Sequence, residues 1–338
     1  MMKINRFFLV TLAAAGIFTA CSNDEAVHSN KGAEISFRVQ GSTPVLRTTS
    51  TTLGYVNAFV AYGTDDKIDA LAPPDNHIFN GVTVARQQGG GDIFIYSPKK
   101  YFGLGAGDAE FAAYSPVSKK VTGASFTYST DFHFNYEVII PDVAGKTTQE
   151  DLLVAGIKGV PSAMSPVSFL FKHALSRIFV TSLNTTNETA VIKSLTLRNV
   201  YSKGTVTIDA ASNTLGWSVL NTRIPYPYVL APTGVAVPAN IATKTLVTTM
   251  EQGMMILPQD VENNGDNILD ANEFALDVVY DYGNLTNQTK TIFLDDTFPF
   301  VGGNQYTINI AFTAATLLEI TFDITVQPFG DPPVPVNP

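Results

Sequence analysis

Apolar and polar positions alternate with a period of two along much of this chain, the mark of strands with one dry face and one wet face. The pattern is sharpest in residues 318–327. Leu318, Ile320, Phe322, Ile324 and Val326 point one way, while Glu319, Thr321, Asp323, Thr325 and Gln327 point the other. Residues 33–40 do the same near the N-terminus, with Ala33, Ile35, Phe37 and Val39 facing in and Glu34, Ser36, Arg38 and Gln40 facing out. Residues 305–313 form a third such run. Shorter strands are expected at 55–62, 82–85, 92–96, 110–115, 125–128 and 134–140, between Gly, Pro and Asp turns. Residues 167–181 suit a buried strand, a polar break and a second strand. Strands at 190–200, 204–208, 275–282 and 290–294 follow, the last two joined as a hairpin through 283–288. Trp217 falls in a loop context and is expected to plug one end of a core. In the first half no stretch holds a helical period beyond two turns. Many short strands at regular spacing predict an all-β protein of two tandem β-sandwiches. The boundary is expected at 160–166, where the prolines disfavour regular structure.

Charge narrows the partners. The net charge is −9, and residues 1–20 carry Lys3 and Arg6 with no acid, so the remainder is more negative still. No basic run exists, which argues against nucleic acid. A single cysteine, Cys21, excludes an intrachain disulfide. The apolar run 7–18 follows Lys3 and Arg6 and is too short to span a bilayer. It ends in Phe18-Thr19-Ala20-Cys21, and together these residues resemble a bacterial lipoprotein signal. That resemblance implies cleavage between Ala20 and Cys21 and lipid on Cys21; the alternative is an ordinary signal peptide with an incidental cysteine. Ser22-Asn23-Asp24-Glu25 resembles a surface-export signal of some Gram-negative lipoproteins. Residues 22–32 are polar enough for a flexible tether.

Candidate chemistry is sparse. His28, His77, His133 and His173 are far apart and form no metal-ligand spacing. Asp260, Glu262, Asn264 and Gly265 begin like a calcium loop, but the twelfth position is Ala271 where a bidentate Glu is needed; Asp266, Asp270 and Glu273 nearby leave a calcium site of another kind open beside a solvated acidic loop. Gly89-Gly90-Gly91 precedes a strand rather than a helix, so it is no phosphate cradle. Ser176 and Ser202 lack a nucleophile elbow. The expectation is a non-enzyme without cofactor or metal.

The residues together resemble the fimbrillins, the lipoprotein-derived (type V) pilins of Gram-negative surface fimbriae. The matching features are the lipoprotein signal, the early strand 34–39, the segment 171–177 opening the second half, 255–259, 303–307 and the closing strand 320–326. The resemblance implies two transthyretin-like sandwiches and a precursor carried to the outer membrane on its lipid. It implies that a protease cutting after Arg removes the first strand, and that the groove accepts the C-terminal strand of the next subunit. On this sequence the cut falls between Arg47 and Thr48, releasing residues 21–47 after signal residues 1–20. The sandwiches would be 48–160 and 161–338. Ile35, Phe37 and Val39 would be displaced, and Leu318, Ile320, Phe322, Ile324 and Val326 would be donated. Partners would be other pilin subunits in a head-to-tail polymer, and host glycans or proteins in adhesion. The residues alone leave a second arrangement open, in which both terminal strands belong to one sheet of a monomeric lipoprotein. A different function is also open: a tip adhesin or glycan-binding lipoprotein, for which Tyr226 and Tyr228 are loop aromatics that either face sugars or, as the flanking prolines favour, pack between those prolines.

Overall fold

The computed structural model describes residues 32–40, 56–68, 71, 76–88, 93–105, 107–118, 120–140, 149–162, 164–219, 222–228, 230–241, 243–248, 253–260, 270, 273–294, 299–313 and 323–328. The strands run in chain order as β1 (Phe37–Val39), β2 (Ala58–Thr64), β3 (Phe79–Arg86), β4 (Phe94–Ile95), β5 (Ala109–Ser115), β6 (Val121–Ser125), β7 (Phe132–Glu137) and β8 (Leu153–Val160). Then come β9 (Val167–Phe169), β10 (Lys172–His173), β11 (Ser176–Asn184), β12 (Ala190–Tyr201), β13 (Lys203–Asp209), β14 (Thr214–Val219), β15 (Arg223–Tyr228) and β16 (Val235–Val237). The last are β17 (Thr245–Leu246), β18 (Met254–Ile256), β19 (Gln259–Asp260), β20 (Ala275–Tyr282), β21 (Leu285–Phe293), β22 (Pro299–Phe300), β23 (Asn304–Phe312) and β24 (Asp323–Pro328). The described residues contain strands and turns and no helix, as the alternation predicts.

The first large sheet has the order β10-β8-β5-β2-β3-β4-β1-β9. Its two ends come from one stretch, Val167–His173, so the sheet curls until its edges approach. One face of β2, β5 and β8 supplies Phe59, Ala61, Phe111, Ala113, Leu153 and Ala155 to a core that also holds Ile35, Phe37 and Val39. Their opposite face supplies Val60, Tyr62, Ala112, Tyr114 and Val154 to a second, larger core. Strands buried on both faces lose the period of two, which is why β2 and β5 read as continuous runs of apolar and small residues.

The second core is closed by a four-stranded sheet, β14-β13-β7-β6. In β7 the buried residues Phe132, Phe134 and Tyr136 alternate with the less buried His133, Asn135 and Glu137. Phe132 meets Tyr62 at 4.9 Å between ring centroids, and Phe134 meets Tyr114 at 5.2 Å. This sheet joins β7 to β13 over Lys203–Ile208, so hydrogen bonds cross the seam expected at 160–166. Trp217 lies on β14 opposite Val206, not in a loop, and its Nε1 donates to the Ala174 carbonyl at 2.8 Å.

The second half forms a sandwich of β17-β11-β23-β24, with β18 also on β11, against β15-β12-β20-β21, with β16 also on β12. Tyr280 of β20 and Phe312 of β23 meet across it at 5.2 Å. The hairpin β20–β21 is tighter than expected. Tyr282 pairs with Leu285 around Gly283-Asn284, and Gly283 has φ +54°, where glycine carries no Cβ penalty. Leu285 to Gln288, read as linker in the sequence, therefore belong to an edge strand.

Candidate strand-exchange site

The first strand sits in a prepared slot. Ile35, Phe37 and Val39 are buried, as their alternation predicts, whereas Ala33 is exposed rather than inward. Phe37 lies among five aromatic rings. It stacks on Phe169 at 5.6 Å and meets Phe79 at 5.1 Å, Phe59 at 5.7 Å, Tyr96 at 5.8 Å and Phe111 at 6.0 Å near edge-on. Edge-on and offset arrangements suit the ring quadrupoles, so this cage favours a phenyl group over an aliphatic one.

Both backbone edges of the segment are used. On one side Phe37 pairs antiparallel with Phe94 of β4. Farther along, Ile35 donates its N–H to the Lys100 carbonyl (3.0 Å), and Phe102 donates to the Ala33 carbonyl (3.0 Å). On the other side β1 runs parallel to β9: Val167 donates to the Ser36 carbonyl (2.8 Å) and Gln40 to the Phe169 carbonyl (2.8 Å). The Tyr96 hydroxyl donates to the Ile35 carbonyl, and burial pushes its pKa up to about 12.

The outward side chains are paired along the rim. Glu34 forms an ion pair with Lys99, the Ser36 hydroxyl lies 2.8 Å from that of Ser165, and Arg38 Nε donates to Ser168 Oγ. Taking β1 away would therefore leave an apolar trough walled on both sides by unpaired main-chain groups.

Among the other predicted residues, Ala20, Cys21, Arg47, Thr48, Leu318, Ile320 and Phe322 lie outside the described residues. Ile324 and Val326 lie on β24, which pairs antiparallel with β23 of the same chain at Ile308 and Tyr306. The C-terminal strand is thus an edge strand of its own sheet and is not in the slot. Tyr226 and Tyr228 do not face solvent: they lie on β15, and Tyr226 donates its hydroxyl to Gln149 in the core. Burial raises the Tyr226 pKa well above the usual phenol value. His173 pairs with Asp151 at 2.8 Å, and a ring nitrogen of His77 lies 2.6 Å from the Phe126 carbonyl. Of the acidic loop, Glu273 accepts a hydrogen bond from the Asp270 N–H at 3.0 Å, and 261–269 lie outside the described residues.

The second wall of the slot was not legible in the sequence. Residues 167–171 read as a buried strand, but nothing in them says that β9 pairs with a segment about 130 residues earlier. Ser165 and Ser168 give no signal of their own.

The fimbrillin-like family profile matches residues 47–328, most of the chain. The chain belongs to this family. The fimbrillin-like match begins at Arg47, so β1 lies ahead of it. No curated protein is similar enough in sequence to count as a match. Among solved structures, a candidate cell adhesion protein from Bacteroides uniformis superposes with a TM-score of 0.54 at 15% identity, covering 88% of this chain and 99% of its own. A second candidate cell adhesion protein, from Bacteroides ovatus, gives 0.51 at 15% identity, covering 90% and 99%. At such identities these two show a shared fold. The fimbrillin-like family is one of fimbrial proteins, which act at the cell surface in association with other fimbrial subunits.

Proposed function

We propose that this fimbrillin-like chain is a structural subunit of surface fimbriae, polymerised by strand exchange after cleavage between Arg47 and Thr48. Lipid on Cys21 would hold the precursor at the outer membrane until that cut. The observation that carries the reading is the slot: β1, just upstream of Arg47, is buried on its inner face and hydrogen-bonded on both edges. Displacing Ile35, Phe37 and Val39 costs roughly 5–9 kcal/mol of gross apolar burial, at about 1.5–3 per side chain. Another strand that fills the trough recovers it, with main-chain hydrogen bonds for strength and alternate side chains for register. Because acceptor and donor are different surfaces, the contact does not close on itself and gives a filament.

Limited trypsin digestion of the purified precursor, with N-terminal sequencing and electron microscopy, tests this. The expected result is a new N-terminus at Thr48 and filaments. Cut subunits that stay monomeric, even when mixed with other cut subunits, would overturn the reading.

A second reading draws on β24. Its pairing to β23 in the same chain suits a subunit that accepts a neighbour's strand but keeps its own, as a tip adhesin would. Deleting residues 317–338 separates the two. A stalk subunit then loses filaments, whereas a tip adhesin keeps binding its glycan or protein ligand.

A further inference from the structure

The seated strand and the C-terminal strand share a sequence. Residues 34–40 read Glu-Ile-Ser-Phe-Arg-Val-Gln, and residues 319–325 read Glu-Ile-Thr-Phe-Asp-Ile-Thr. Glu, Ile and Phe are identical at the first, second and fourth positions. Ser becomes Thr, Val becomes Ile, and the one reversal of charge is Arg38 to Asp323.

Granted strand exchange as proposed above, we infer that the slot takes residues 319–325 of a second copy in one register and one direction, with Phe322 where Phe37 now sits. The cage of five rings is the key to the register. Residues 318–327 contain a single aromatic, Phe322, and only one alignment puts it among Phe59, Phe79, Tyr96, Phe111 and Phe169. A slip of one residue would turn every apolar side chain outward, and a slip of two would put Ile320 or Ile324 in the cage.

The same alignment satisfies the walls. Ile320 replaces Ile35, and its N–H meets the Lys100 carbonyl. Thr325 replaces Gln40, and its N–H meets the Phe169 carbonyl. No proline interrupts 319–325, so each donor that the slot needs is present. The shared chain order keeps the incoming strand parallel to β9 and antiparallel to β4.

The rim is matched as well. Glu319 takes the place of Glu34 beside Lys99, and the Thr321 hydroxyl takes that of Ser36 beside Ser165. Asp323 takes the place of Arg38 and accepts the Ser168 hydroxyl, where Arg38 now donates to its oxygen. Ser168 serves both occupants because a hydroxyl both donates and accepts. Leu318 falls at the exposed position of Ala33 and Val326 beyond Gln40, so three of the five apolar residues expected to be donated enter the slot.

Disulfide trapping in assembled filaments reads the register directly. Ser36 and Ser165 side chains are in contact, so a cysteine at 165 should capture whichever donor residue stands where Ser36 stood. Full-length subunits carrying Ser165→Cys with Thr321→Cys, Glu319→Cys or Asp323→Cys are cleaved, assembled and oxidised; Cys21 leaves with the released segment. The expected result is an intermolecular ladder on non-reducing gels with Thr321→Cys alone. A ladder from Glu319→Cys or Asp323→Cys instead would overturn the register and leave strand exchange standing. Filaments without a ladder from any of the three would overturn both.

Discussion

At the scale of single residues, Phe37 makes the ring contacts of the first strand and is one of its three buried anchors. It touches five rings and is nearly inaccessible. Phe37→Ala is expected to destabilise the precursor by about 3–5 kcal/mol, measured by urea unfolding, because the tightly packed cage cannot collapse around the void. Ser168→Asp should separate the two occupants of the slot. A carboxylate at 168 attracts Arg38 and repels Asp323. Ser168 is buried, so the carboxylate costs desolvation with either occupant and only Arg38 offsets it; the precursor should therefore lose less stability than filament assembly does, and equal effects in both assays would count against the alignment. Tyr96 adds a pH dependence. Burial holds its folded pKa at about 12, above the usual phenol value of about 10. The stability that this provides is complete below pH 10 and drains away as pH rises through 12, because unfolding then releases a proton that the folded state retains. Alkaline unfolding of Tyr96→Phe should be less steep over that window than that of the parent, followed by circular dichroism. The inward set Ile35, Phe37 and Val39 was legible from alternation alone. Ala33 was not, since a small residue at a strand's frayed end carries little information about which way it points.

At the scale of elements, strands carrying large apolar residues were legible whether one face is solvated or both are buried: β5, buried throughout, was expected at 110–115 and lies at Ala109–Ser115. β7, β12 and β13 alternate, and the sequence located each to within a few residues. β6 was expected at 125–128 and lies at Val121–Ser125, because a strand such as Val-Thr-Gly-Ala-Ser lacks the bulky residues that mark a face. β14 was missed because Gly216 beside Trp217 reads as a turn, although Gly204 and Trp217 in fact pack across two strands. Pairing partners were the least legible, since a sequence shows a strand's face but not its neighbour. One close approach can be tested. A Cβ at Gly156 of β8 would stand 2.9 Å from the Ala210 Cα in the turn after β13. Gly156→Ala should therefore push the four-stranded sheet off the eight-stranded one and cost roughly 1–3 kcal/mol by overpacking, read from the urea midpoint.

At the scale of the molecule, two sandwiches were expected with a seam at 160–166. The strands do not respect that seam: β9 and β10 finish the first sheet, and β13 pairs with β7. The larger core likewise gathers Val60 and Tyr62 together with Ile308 and Phe312. Residues 32–328 are thus expected to unfold in one transition, with Trp217 fluorescence and far-ultraviolet circular dichroism coinciding. Two separated transitions would show that the halves melt independently. The curl of the first sheet bears on what happens once the leading segment is gone. β9 is joined through Leu170 and Phe171 to β10, and β10 is fastened to β8 on the far edge. Its departure from the vacated lane is limited by a tether of two residues, about 7 Å of extended chain. The berth is therefore kept at its working width by covalent chain rather than by its passenger, and an arriving strand meets a doorframe already standing.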